Sequence, residues 1–187
     1  MRSLLKQLKS DESLMRDYQQ GDSVAFDVLY QRHKDKLFNF VYRSCQNREA
    51  VEDIAHDSWM AVIRSIEQYE PTAKFTTYLY RIARNKIIDH WRKMSPEEDH
   101  PVEPDEVSSA NTVSGSASHG TERLQMINAL LAALALLPEE QREAFLLKEE
   151  GFSQMEIAEI TGSKPETVKS RVRYARQQLR LELGVSI

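Results

Sequence analysis

The stretch "SQMEIAEITGSKPETVKSRV", residues 153–172, opens with Ser-x-x-Glu and repeats the pattern ten residues later, as Ser153 with Glu156 and Ser163 with Glu166. Each pattern predicts a capping box at a helix start. Gly162 lies between them, where a helix-ending left-handed residue escapes Cβ strain. Pro165 is tolerated because it falls in a first turn. Ile157, Ala158 and Ile160 give the first helix an apolar face, and Val168, Val172, Ala175 and Leu179 step by 4, 3 and 4 along the second. Ala158 is small where the second helix must cross closely. These are the requirements of a helix-turn-helix.

The other face of the second helix is basic. From Lys164 to Arg180 there are six bases and one acid. Lys164, Lys169, Arg171, Arg173 and Arg176 suit phosphates and guanine edges, while Thr167, Ser170 and Tyr174 add hydroxyls. Glu166, Thr167, Lys169 and Ser170 fall at the helix N-terminus, where recognition helices meet the groove. A basic, solvated helix in a generic bundle has the same pattern. The caps, the glycine and the charge asymmetry together favour DNA binding.

Helical spacing continues upstream. "PEEQREAFLLKEE", residues 138–150, starts on a proline and stops before Gly151. Leu124, Ile127, Leu131 and Leu134 step by 3, 4 and 3 and predict an amphipathic helix before it. Residues 95–122 are rich in Pro, Ser, Gly and acids and read as a flexible linker, unable to bury enough apolar surface to order themselves. The net charge of −4 divides along these boundaries: +3 over residues 1–94, −7 over 95–122 and 0 over 123–187. Overall charge is therefore a poor guide to partners.

The first 94 residues also read as helices, over about 12–19 up to Gly21, from Asp22 or Ser23 to about 45, about 49–68 and about 76–93. No strand-like alternation appears. The fold class is all-α, with two small helical domains, 1–94 and 123–187, on a tether. The longest apolar run, residues 129–137, is far short of the ~20 that span a bilayer, and the N-terminus has no run suited to a signal peptide. The lone cysteine, Cys45, reads as an apolar filler in a reducing compartment.

Two further features carry chemistry. In "REAVEDIAHDSW", Asp53 and Asp57 share a helix face opposite the apolar stripe, with Glu49 one turn earlier. A metal pair, an acid/base pair, a docking face for a basic partner and a plain solvated face all fit. The five histidines, His33, His56, His90, His100 and His119, supply no matching metal pattern, and no partner nucleophile is evident, so docking is the better functional option. In "KFTTYLYRIARNKIIDHWRK", residues 74–93, Tyr78, Arg81, Asn85 and Arg92 fall on one helix face. Rings interleaved with cations suit single-stranded DNA, and an amide such as Asn85 can pair with the edge of an extruded base. Core packing is the better reading of Trp91, and for the helix as a whole it fits the spacing equally well.

In this order, "AVEDIAHDSWMAVIRSI", "FTTYLYRIARNKIIDHWRK", an acidic linker and "LPEEQREAFLLKEEGFSQMEIAEITGSKPETVKSRVRYARQQLR" resemble a bacterial RNA polymerase sigma factor of the extracytoplasmic-function (ECF) class. The resemblance covers about residues 14–94 and 123–182 and implies the following roles. Asp53, Asp57 and Glu49 dock on the β′ clamp helices of core polymerase, with further contact to β. The loop at about 68–75 and the helix behind it read the −10 element through Lys74, Tyr78, Tyr80, Arg81, Asn85 and Arg92, with a non-template base flipped out as the duplex melts. The helix-turn-helix reads the −35 element through Lys164, Glu166, Thr167, Lys169, Ser170, Arg171, Arg173, Tyr174 and Arg176. The linker threads toward the RNA exit channel. An anti-sigma factor and a stress-response role in the cytoplasm, on the nucleoid with polymerase, are implied as well. No catalytic residue, metal or cofactor is expected. Tyr78 stands where many relatives have Trp, and His56 where Gln is common. The alternative reading is a stand-alone dimeric helix-turn-helix regulator; an enzyme built on Asp53 and Asp57 is a third.

Overall fold

The computed structural model describes residues 6–45, 47–94 and 118–184; the side chains at positions 48, 49, 94 and 118–122 lie outside that description. Eight α-helices follow in order among the described residues: α1 (Asp11–Gln19), α2 (Ser23–Cys45), α3 (Arg48–Arg64), α4 (Phe75–Met94), α5 (Ser118–Ala135), α6 (Glu139–Glu149), α7 (Gln154–Thr161) and α8 (Pro165–Leu183). A short 3-10 turn, Ile66–Gln68, ends the segment expected as helix to residue 68. The expected linker lies outside the described residues up to position 117, and its last residues, 118–122, already belong to α5.

In the first unit, Ser10 caps α1 by accepting from the Ser13 N–H, and Gly21 at φ +95° turns the chain into α2. Leu14, Leu29, Leu37, Phe40, Val41, Val51, Ile54, Val62, Leu79 and Ala83 are buried together. Trp59 packs edge-on to Phe26 and Tyr30, with ring centroids 5.8 and 5.1 Å away.

In the second unit, α6 starts after Pro138 and ends at Gly151 (φ +94°). The capping box at Ser153 and Glu156 forms as expected, and Gly162 is left-handed at φ +65°. The second expected box does not form. Lys164 is the N-cap of α8, Pro165 takes the first helical position, and the Ser163 hydroxyl accepts instead from Arg171 at 2.7 Å. Proline's fixed φ suits the first position of a helix, which moves the start one residue past Ser163. Along α5, Leu134 is buried but Leu124 and Ile127 are 56% and 44% exposed. Only the last turns of that helix meet the bundle, against α8, so its early apolar positions stay outside the core.

The two units are packed on one another. Helix α4 lies along α7, and α2 meets α6. Their buried residues join in one apolar cluster.

Candidate nucleic-acid interface

The loop between α3 and α4 is held at both ends by α1. Gln19 donates its side-chain amide to the carbonyls of Ile66 (3.1 Å) and Glu67 (3.3 Å). Glu12 accepts from the backbone N–H of Phe75 at 3.0 Å, satisfying an otherwise unpaired donor at the start of α4. Neither residue stood out in the sequence, because an exposed Gln and Glu on a short helix carry no pattern. A cleft of about 220 Å³ opens in this loop, lined by Tyr69, Thr72, Tyr78 and Arg81 among others. The Tyr69 and Tyr78 rings meet edge to face at 5.3 Å, and the Tyr78 hydroxyl is hydrogen-bonded to Ser65. Burial pushes the Tyr69 phenol up to about 12. A clamped loop with two rings and a guanidinium is a platform for a planar, electron-rich group beside a phosphate.

The residues expected on this helix split between two faces. Arg81, Asn85 and Arg92 are exposed, Tyr78 is half-buried, and Lys74 reaches out from the loop. Tyr80 is 3% exposed. Its ring sits between Phe40 of α2 at 5.0 Å and Phe152, in the turn between α6 and α7, at 4.8 Å. Its hydroxyl donates to Glu150 at 3.2 Å, and burial together with the Glu150 charge raises the phenol pKa.

Asp53 and Asp57 are exposed on α3, as is His56, while Val51, Ile54 and Trp59 are buried behind them. Glu49 belongs to α3, but its side chain lies outside the described residues. Among the described residues, no three or more His, Cys, Asp or Glu side chains gather as a metal site would require. The arrangement is an open acidic face, suited to a basic partner surface.

On α8, Lys164, Glu166, Thr167, Lys169, Arg173, Tyr174 and Arg176 are exposed, and Ser170 is half-buried with its hydroxyl donating to Glu166 O at 3.1 Å. Arg171 differs from the rest. It is half-buried, ion-paired with Glu140 and bonded to Ser163, which ties α8 to α6 and to the helix-turn-helix turn. Arg173 lies over the Tyr174 ring at 4.9 Å. Beside α8 runs a cleft of about 550 Å³ with Ile157, Val168 and Val172 in its floor and Lys148, Lys169 and Arg173 among its rim. Gln154 fixes α7 against α8 by donating to Pro165 O at 2.7 Å.

Known proteins share both halves of this arrangement. Residues 29–96 match the Sigma-70 region 2 family, and residues 127–179 match the Sigma-70, region 4 family. The ECF RNA polymerase sigma factor SigW of Bacillus subtilis is 30% identical over 176 residues, covering 90% of this chain and 94% of its own. The ECF RNA polymerase sigma-E factor of Haemophilus influenzae is 31% identical over 179 residues, covering 91% and 93%. Two solved structures share the fold. CnrH, in complex with the cytosolic domain of CnrY, superposes with a TM-score of 0.72 at 23% identity, over 94% of this chain and 98% of that one. RpoE of Bartonella quintana, in complex with the anti-sigma factor NepR, superposes with 0.67 at 24% identity, over 87% and 98%.

Proposed function

We propose, for a chain that belongs to the ECF RNA polymerase sigma factors, that three separate surfaces divide the work of the family. A sigma factor binds core RNA polymerase and directs promoter-specific transcription initiation, and that is what this protein does. In our reading, residues 1–94 form the region-two domain, 123–187 the region-four domain and 95–122 the tether. The α3 face with Asp53, Asp57 and Glu49 docks on the polymerase β′ clamp helices. Lys74, Tyr78, Tyr80, Arg81, Asn85 and Arg92 take the −10 strand, and the α8 face takes the −35 duplex. Arg171 positions α8 rather than touching bases. The chain performs no catalysis of its own and works in the cytoplasm, on the nucleoid when polymerase is bound. The complex of RpoE with NepR supports an anti-sigma partner here too.

The observation that carries this reading is the exposure of Asp53 and Asp57 on a helix whose opposite face is fully committed to the core. Among the described residues these two carboxylates make no hydrogen bond or ion pair, and a basic polymerase surface would supply partners for them. D53A/D57A should abolish association with core polymerase in gel filtration and run-off transcription, while helical content by circular dichroism stays unchanged. Retained polymerase binding would sink the assignment.

A further inference from the structure

No residue of α1 belongs to the proposed polymerase or DNA contacts, yet α1 holds both ends of the loop ahead of α4. Gln19 reaches the carbonyls of Ile66, Glu67 and, at 3.4 Å, Tyr69. Glu12 holds the Phe75 N–H at the far end. The two side chains stand seven residues apart, close to two helical turns, so they share one face with about 10 Å of helix between them. The helix itself is anchored. Leu14 and Met15 are buried in the core. Asp11 accepts from Arg32 of α2 at 2.6 Å and is hydrogen-bonded to His33 at 2.8 Å.

The loop does little to hold itself. Within 70–73 the described backbone makes one hydrogen bond, from the Thr72 N–H to Glu70 O at 2.8 Å. Tyr69 is buried, but its hydroxyl has no hydrogen-bond partner among the described residues. The ring is therefore placed by its packing on Tyr78 and by the backbone that Gln19 holds, not by its own polar group. Tyr78 is fixed from the other side, through Ser65. One wall of the cleft thus depends on an exposed side chain of a different helix.

What the clamps oppose is deformation of the cleft. A cleft of set width suits one base, and a base of another shape enters only if the loop yields. Yielding breaks the bonds to α1, and each hydrogen bond is worth a factor of about five.

We propose that Glu12 and Gln19 are positioning residues for −10 reading: α1 is a two-point gauge that sets the Tyr69–Tyr78–Arg81 cleft before DNA arrives, and so sets how sharply a flipped base is told from its rivals. This rests on the assignment of α4 and its loop to the −10 strand.

The test uses holoenzyme and a promoter that the parent protein transcribes, with its −10 and −35 elements randomised in turn. Sequencing the run-off transcripts gives, at each position, the ratio of the preferred base to the least preferred. Q19A and E12A should each lower that ratio about fivefold at one or more −10 positions, through gain at the disfavoured bases. The −35 ratios should stay at the parent values. E12Q keeps an oxygen for the Phe75 N–H and should keep the parent's −10 ratios. Gln19 is exposed and alanine is a good helix former, so Q19A leaves α1 folded, which circular dichroism checks. A merely structural role would lower transcription from every sequence alike. That outcome overturns the proposal, as do −10 ratios that Q19A and E12A both leave unchanged, or an E12Q protein that behaves as E12A does. The underlying assignment is tested apart with N85A in the same libraries. If N85A leaves the −10 ratios intact, the assignment falls and the gauge with it; if N85A changes them and the α1 variants do not, the gauge alone falls.

Discussion

Arg171 and Arg173 stand two residues apart on one helix, and their surroundings give them different roles. Two residues turn a helix by about 200°, so the side chains point nearly opposite ways. Arg171 faces Glu140 and Ser163, whereas Arg173 is exposed above Tyr174. R171A should therefore lower stability by roughly 1 kcal/mol, about 2–4 °C in the melting temperature of a chain this long. R173A should leave melting unchanged, weaken −35 binding, and reduce the salt dependence of binding by about one counterion. Calorimetry and anisotropy at two salt concentrations separate the two. The sequence placed both in one basic face because charge is visible in a residue's name and partners are not. Lys169, Arg173 and Tyr174 were legible as exposed; the Ser163–Arg171 bond was not, because Ser163 also fitted a capping box.

At the scale of elements, the local signals that survived are those set by backbone chemistry. Gly21, Gly151 and Gly162 all have positive φ, where the helix ends were read. Gly162 ends α7 with open space around the position a Cβ would take. G162A should thus cost about 1 kcal/mol through backbone strain alone, with no clash to relieve. G162N should cost less, since asparagine tolerates the left-handed region. Urea unfolding of the two variants checks the order; equal costs would point to packing rather than φ. The Ser153 box holds for a similar reason, and hydrogen bonds from Lys74 and Ser153 keep the Glu156 carboxyl down at about 2. Apolar spacing served less well on α5. Periodicity finds a stripe but not what covers it, and Leu124 and Ile127 have no covering element among the described residues' core.

For the whole molecule, helix order was legible, because capping, glycine placement and apolar period all act within a few residues. The seam between the two units was not. Glu143, Glu150 and Glu159 read as ordinary helix acids and Glu156 as part of a cap, and only the fold sets them against Arg84, Arg43, the α4 cleft and Lys74. A tether between two charged units says that they can meet, not that they do. Cys45 closes α2 at this boundary, within electrostatic reach of Arg142 on α6, and burial pushes its thiol up to about 11. It is the chain's single cysteine. Nature has thus left one alkylation site that can serve as a clock for any parting of the halves. At pH 8 its thiolate fraction should be about a hundredfold below that of an ordinary cysteine; greater intrinsic nucleophilicity recovers about tenfold, leaving iodoacetamide labelling about tenfold slow and rising with pH. Mass spectrometry should show that rate climbing when core polymerase is added. A rate that polymerase leaves untouched would mean that the thiol is sheltered by the first unit alone.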